Sequence, residues 1–273
     1  MPNSKSLTLA TWNINSVRLR IDSVVRVLKE YKPDILCLQE TKCPQGQFPS
    51  APLKDIGYGH IAEFGQKGYH GVAIVSRLPF ETSHSKSFCG KNDCRHIAAV
   101  FRKPMPFVLH NFYVPAGGDE PDRAINEKFD HKLNFLDEME AWSTADARHE
   151  DMDAVVVGDL NIAPMEHDVW SSKDLKKVVS HTPLERKRMV EVMTAGGWQD
   201  VMRRHVPESE KLYTWWSYRA KDWALANRGR RLDHVWATGE LAERSTGIQV
   251  IKDTRGWVQP SDHVPVMATF RVA

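Results

Sequence analysis

Ala154-Val-Val-Val-Gly-Asp-Leu-Asn161 decides how this chain reads: an unbroken apolar run that stops at oxygen-bearing side chains. A short run of β-branched residues is a strand buried on both faces. Asp159 and Asn161 lie two apart, and on a continuing strand they share a face and can address one site. The same signature recurs along the chain, where strand-like runs end at Asn13, Glu40, Asp233 and Asp262. The runs concerned are 7–12, 35–38, 231–237 and 264–272. Further strands are expected at 71–76, 96–102, 107–114, 212–218 and 248–252. Helices are expected at 17–31, along the face marked by Phe129, Leu133, Leu136, Met139 and Trp142, and at 183–193, where Pro183 suits the first turn.

Strands interspersed with helices, without strict alternation, point to an α/β protein of two sheets flanked by helices. At 273 residues and 41% hydrophobic content the chain can bury one large core. No repeat, low-complexity tract or long linker divides it, so a single domain over 1–273 is expected. The net charge of +2 gives no overall basic field, although a local basic groove is compatible with it. Cys37, Cys43, Cys89 and Cys94 form no CxxC pair and no zinc-type spacing, as in a reduced cytoplasmic protein. No apolar run of about 18 residues exists to span a membrane, and the start lacks a signal peptide's apolar stretch.

Oxygen ligands without a Cys/His cluster suit Mg²⁺, with Mn²⁺ as a substitute, rather than zinc. Each residue also has a plainer reading. Asn13 or Asn161 alone is more often a turn residue, Glu40 lines a helix start, Asp233 pairs with Arg231 at the surface, and Asp262 caps a turn. Six coincidences of this kind in one chain favour a shared site. Among the twelve histidines, His263 stands apart, because it follows Asp262 and precedes an apolar run.

The segments Thr11-Trp-Asn-Ile-Asn15, Leu38-Gln-Glu-Thr-Lys42, Gly65-Gln-Lys-Gly-Tyr-His-Gly71, Tyr113-Val-Pro115, Gly158-Asp-Leu-Asn161, Tyr213-Thr-Trp-Trp-Ser-Tyr218, Arg231-Leu-Asp233 and Pro260-Ser-Asp-His263 follow one another in the chain. In that order they resemble the exonuclease III and AP endonuclease family, over about residues 7–271. The resemblance implies a four-layer α/β sandwich, two facing mixed β-sheets flanked by helices, as in DNase I. It implies a Mg²⁺-dependent nuclease of base excision repair acting on duplex DNA at abasic sites or 3′ ends. The expected reactions are incision 5′ of the abasic site, 3′-5′ exodeoxyribonuclease activity and 3′-end cleaning. A monomer is expected.

By the same resemblance Glu40 would be the principal metal ligand, with Asn13 and Asp262 at the same ion and Asp159, Asn161 and His263 completing the metal site. Asp159 would activate water, Asn161 would hold that water or a phosphate oxygen, and Tyr113 would donate to phosphate. His263, held by Asp233, would stabilise the transition state, and the choice of base between Asp159 and His263 stays open. Trp215, Trp216, Arg219 and Leu232 would line the pocket for a base-free sugar. Arg95, with Lys67, Lys128 and Arg219, would contribute to a basic face.

The chain departs from its relatives at Ala116, where an amide is common, at Asp119, where some insert a basic residue, at Ser16, which replaces a glycine, and at Arg230, where some have an aromatic pocket wall. Two readings compete. One is a phosphoesterase of the same superfamily acting on RNA or inositol phosphates; the other is a non-catalytic DNA-binding module. The LQETK and WWSYR stretches oppose the first, and the complete polar set opposes the second.

Overall fold

The computed structural model describes residues 6–272. Its core is two six-stranded sheets. In spatial order the first consists of Ser245–Val250, Val266–Arg271, Ser6–Asn13, Ile35–Gln39, Val72–Ser76 and His60–Phe64. The second consists of Thr82–Ser85, His96–Phe101, Phe107–Tyr113, Ala154–Asp159, Asp233–Ala237 and Gln199–Asp200. Each sheet contains a single parallel pair, Ser6–Asn13 with Ile35–Gln39 in one and Phe107–Tyr113 with Ala154–Asp159 in the other. A parallel pair needs a crossover, and here helices Ile21–Glu30 and Glu127–Ala145 supply it.

Strand alternation builds the layers. Leu7 and Leu9 point between the sheets and meet Leu109, Val155, Val157 and Val235 of the other sheet. Ala10 and Trp12 point outward against Val24, Val27 and Leu28 of the first crossover helix. On the far side Val108, Phe112, Val156 and Trp236 pack against Phe129, Leu133, Leu136 and Met139, with Met189 and Val192 from helix Pro183–Gly196. The order helix, sheet, sheet, helix is the four-layer sandwich expected. Gly158 lies at φ 136°, and a Cβ there would sit 1.9 Å from the Phe112 carbonyl oxygen. That contact explains the one glycine in the deciding strand.

Several boundaries differ from expectation. The first helix begins at Ile21, not residue 17, because the Arg20 side chain turns back to the Gln259 and Pro260 carbonyls. The apolar run 212–218 is not a continuous strand. Only Trp215–Trp216 pairs, with Gly229–Arg230, while the Trp216 and Val264 amides bond Asp262 and Thr214 across a loop. Trp215 and Trp216 line a cavity, outside the two large sheets. Strands His60–Phe64 and Thr82–Ser85 lie at sheet edges, and neither shows the period-two burial that would mark a strand in the sequence. Helix Pro183–Gly196 starts in a Thr182/Glu185 capping box and runs on to Gly197 in the left-handed conformation.

Arg231 does not pair with Asp233 on the surface. It is fully buried and bonds Asp168 through Nε and Nη2, both at 2.8 Å, and Asp200 at 2.6 Å. Arg203 adds a second cation to Asp168 at 2.5 Å. Burial alone would raise the Asp168 pKa, but the two guanidinium groups outweigh it and hold the carboxyl down at about 2. A folded-state pKa below the usual carboxylate value of about 4 stabilises the fold above that value, and the gain disappears as pH falls towards 2. Asp168→Asn should therefore cost about 3–5 kcal/mol at neutral pH, as expected for stripping one partner from a buried ion network. Urea unfolding between pH 2 and pH 7 should also show a flatter acid limb in the variant, and equal stability of the two proteins at pH 7 would contradict this role.

Candidate active site

Both parallel strand pairs end on the same side of the molecule, and their carboxyl ends carry the polar residues. Asn13 is in register with Gln39, and Tyr113 with Asp159. Asn13 joins the halves, its Nδ2 donating to Glu40 Oε1 at 2.9 Å and to Asp159 Oδ2 at 2.8 Å. Glu40, just beyond its strand, sits at φ 49°, and Asn161 at φ 54°. Non-glycine residues held in this region cost on the order of 1–3 kcal/mol each and persist where the surroundings fix them. The turn at each position swings the chain off the strand and into the cavity.

His263 occupies the centre. Its Nδ1 lies 2.8 Å from Asp233 Oδ2, and its Nε2 lies 3.6 Å from Asp159 Oδ2. Asp233 begins its strand directly opposite Asp159. Burial works against the imidazolium, but Asp233 and Asp159 outweigh it and push the His263 pKa up to about 10. Asp159 moves up to about 7: burial dominates, the carboxylates of Asp233 and Glu40 add to it, and His263 and Asn13 counteract it in part. Glu40 shifts down despite burial, because Lys42 Nζ at 2.9 Å and Asn13 favour the anion. Asp262 also shifts down against burial, facing His263 and accepting from Trp215 Nε1 at 2.9 Å and Asn15 Nδ2 at 3.2 Å. Tyr113 is nearly buried, and burial with the Glu40 and Asp159 charges keeps its hydroxyl protonated well beyond the ordinary range.

Glu40, Tyr113, Asp159, Asn161, Asp262 and His263 line one cavity of about 740 Å³. Trp215, Trp216, Arg219 and Leu232 line the same cavity. Asn13 is fully buried beneath it. Asp159 and Asn161 do not share a strand face. Asn161 lies past the strand end, its backbone N–H donating to Asp159 Oδ1 and its Nδ2 to the Val114 carbonyl. Trp216 is a buried floor packed on Tyr213 and Trp223.

Arg95 does not join a basic face. It is buried, pairs with Asp93, donates to the Tyr113 carbonyl and His70, and stacks on the Tyr113 ring. Its place is behind Tyr113. His263 Nδ1 is taken by Asp233, while Nε2 stands 3.6 Å from Asp159, beyond hydrogen-bond distance, and ligand atoms of Asp159, Asp233 and His263 lie within 4.8 Å of one another. Glu40, Asp159 and Asp262 add hard oxygen donors along the same cavity, with no thiol among the cavity residues, and that donor set fits Mg²⁺ or Mn²⁺.

Other positioning residues carried a weak sequence signal, a polar side chain inside an apolar run. Gln39 and Asn111, both fully buried, bond each other between the sheets at 2.7 Å. Lys132, also fully buried, donates to the carbonyls of Asn161 at 2.8 Å and Ala116 at 3.2 Å while paired with Glu185 at 2.5 Å.

A model of the Endonuclease/Exonuclease/phosphatase family matches residues 10–263. Exodeoxyribonuclease III of Haemophilus influenzae is 28% identical over 96% of this chain and 98% of its own length. The structure of an AP endonuclease from Archaeoglobus fulgidus superposes with a TM-score of 0.87 at 36% identity, over 97% of this chain and 99% of that one. A 3′-5′ exonuclease from Neisseria meningitidis superposes equally well, with a TM-score of 0.87 at 31% identity over 97% and 100% of the two chains.

In protein kept free of divalent cations, the His263 imidazole should hold its proton to about pH 10. Asp233→Asn should bring that titration midpoint down by about 1–3 pH units, the usual effect of one close opposite charge. Imidazole ¹H–¹⁵N spectra across pH 6–11 would follow it, and an unmoved midpoint would mean that Asp233 does not hold the charge.

Proposed function

The chain belongs to the Endonuclease/Exonuclease/phosphatase family, in its exonuclease III and AP endonuclease branch, and is a nuclease; from that premise we propose a Mg²⁺-dependent DNA repair enzyme that incises duplex DNA 5′ of abasic sites, removes 3′-terminal nucleotides and cleans blocked 3′ ends. The observation that carries this reading is the Asp159–His263–Asp233 array opening into the same cavity as Trp215 and Leu232. The array supplies hydrolysis, and the wall beside it supplies a place for the residue on the 3′ side of the scissile phosphate. A non-catalytic binding module would have no use for so many carboxylates gathered on one cavity, where burying them costs stability and where such clusters mark sites that do chemistry.

Glu40, Asp262 and Asp159 would hold the cation. Bound there, Mg²⁺ neutralises charge on the scissile phosphate and on the departing 3′-oxygen. Asp159, beside the imidazole of His263, accepts a proton from water. The water oxygen forms a bond to phosphorus, the P–O3′ bond breaks, the 3′-oxygen takes a proton from solvent to leave as a hydroxyl, and Asp159 returns its proton to solvent. The His263 imidazolium and the Tyr113 hydroxyl, both protonated across the working range, donate to the phosphate oxygens as negative charge grows on them. Asp233 holds the imidazole turned and charged, and Asn161 supports the attacking water beside Asp159.

Asp159→Asn should keep DNA binding and lose about 10²–10⁴-fold in turnover, the range for removing a general base. End-labelled duplexes with and without a stable abasic analogue, incubated with Mg²⁺ or EDTA, would be resolved by product size and paired with a binding measurement. Equal losses of binding and turnover would assign Asp159 a structural role. Glu40→Gln should need more Mg²⁺ for the same rate while folding is unchanged, and an identical Mg²⁺ titration would remove Glu40 from the metal site.

A further inference from the structure

The part of the cavity beside Trp215 is built differently from a plain apolar slot. The Arg230 guanidinium lies 5.3 Å from the centre of the Trp215 ring, and the Arg228 guanidinium lies 4.7 Å from that of Trp170. All four residues line the one cavity. Arg230 is anchored by Nη1 alone, to the Val179 carbonyl at 3.1 Å and Ser180 Oγ at 2.8 Å. Its Nε and Nη2 have no protein hydrogen-bond partner among the described residues. Neither arginine, nor Arg219 on the same wall, has a carboxylate salt bridge among the described residues, whereas Arg203 and Arg231 both pair with Asp168.

We propose that this wall seats the base of the nucleotide being released, flanked by the Arg230–Trp215 and Arg228–Trp170 pairs, so that the enzyme takes base-bearing 3′-terminal nucleotides in preference to base-free sugars. The inference rests on the nuclease reading above. Three physical arguments lead to it. Indole and guanidinium planes are surfaces on which any nucleobase stacks, and a base-free sugar has no π face to offer them.

The second argument is hydrogen bonding. Closing a base-free sugar over Arg230 would strip water from its free N–H donors and offer them at most the ring and C1′ oxygens, with no planar partner for the guanidinium. A base edge carries nitrogen and oxygen acceptors that satisfy them. The third is size. Even with the catalytic centre inside it, a cavity of about 740 Å³ falls among pockets of roughly 300–1,000 Å³ that enclose a complete ligand. A lone five-carbon sugar would leave most of it wet. Arg230 is thus the specificity-determining residue, because a flat apolar side chain at that position would seal the wall against a base and shape it for a bare sugar.

Two measurements test this on the intact protein. In the first, 2′-deoxyadenosine 5′-monophosphate and 2-deoxyribose 5-phosphate compete with labelled duplex for the enzyme in Ca²⁺ buffer. The wild type should favour the nucleotide by about 5- to 150-fold, the range for stacking one base, and Arg230→Leu should erase most of that preference. Arg230→Lys keeps the charge without the plane and should resemble Arg230→Leu. In the second, the ratio of abasic-site incision to 3′-nucleotide release with Mg²⁺ should rise by a similar factor in Arg230→Leu. Melting temperatures would be recorded beside both, and Arg228→Ala, at an exposed position, should shift the ratio in the same direction if Arg230 variants do not fold. A wild type that binds the sugar phosphate as well as the nucleotide, or a ratio that none of these variants moves, would overturn the proposal while leaving the nuclease intact. Absence of cleavage on every duplex would overturn both.

Discussion

The amide pair Gln39–Asn111 is the interaction on which the rest of the molecule depends. Gln39 ends a strand of the first sheet, and Asn111 lies two residues before Tyr113 in the second. Gln39 Nε2 donates to Asn111 Oδ1 and to Thr11 Oγ1, while Asn111 Nδ2 donates to the Leu38 and Ala73 carbonyls across the gap. The remaining inter-sheet packing is largely apolar, aliphatic with Phe101, Phe107 and Phe270 among it, and apolar contacts carry no directional register. The N–H donors of both buried amides all find acceptors here and would be left desolvated by a shift, so they fix the register of one sheet on the other. That register brings the ends of the two parallel strand pairs close enough for the single Asn13 amide to bridge Glu40 and Asp159. Each half supplies part of the site, and neither half contains it.

The site concentrates negative charge in a low-dielectric place, and its surroundings are arranged to tolerate that. His263 provides a positive charge at the centre, Lys42 holds one side of Glu40, and Trp215 and Asn15 hold both oxygens of Asp262. Asp159 is the carboxylate left least compensated, and its pKa rises accordingly. A divalent cation would reverse that balance by adding the largest local charge in the site. Backbone strain at Glu40 and Asn161 is sustained by fully buried supports below, including Lys132, which grips the Asn161 carbonyl. The same lysine pairs with Glu185, which in turn accepts from the Ser180 amide at 2.9 Å. Ser180 also bears Arg230, so the catalytic side and the pocket wall share one buried ion pair. Among the described residues no helix is long and apolar enough to cross a membrane.

Much of the architecture was present in local sequence. Apolar runs such as Ala154–Asp159 identify buried strands, because burial on both faces leaves no other composition stable there. Asn13, Glu40, Asp159, Asp233, Asp262 and His263 stand out because a carboxylate or amide at the edge of such a run has few structural reasons to be there. Thr82–Ser85 and His60–Phe64 escaped notice since a ladder of backbone hydrogen bonds makes them strands, and their side chains carry no alternation. The loop around Trp215 misled in the opposite sense: its apolar residues are spaced like a strand but fill a cavity wall.

What the sequence determined by itself was the inventory: which segments are buried, where each ends, and which chemistry-bearing residue sits at the end. Those properties are local, set by side-chain transfer and backbone preference within a few residues. The tertiary structure alone decided which of those residues meet and in what state. It withdrew Arg95 to support Tyr113, sent Arg231 to Asp168 and left Asp233 for His263. It also turned Arg230 onto Trp215. Partner choice among charges is decided by distances between positions far apart in the chain, and by the desolvation that comes only with packing. No local pattern encodes either quantity.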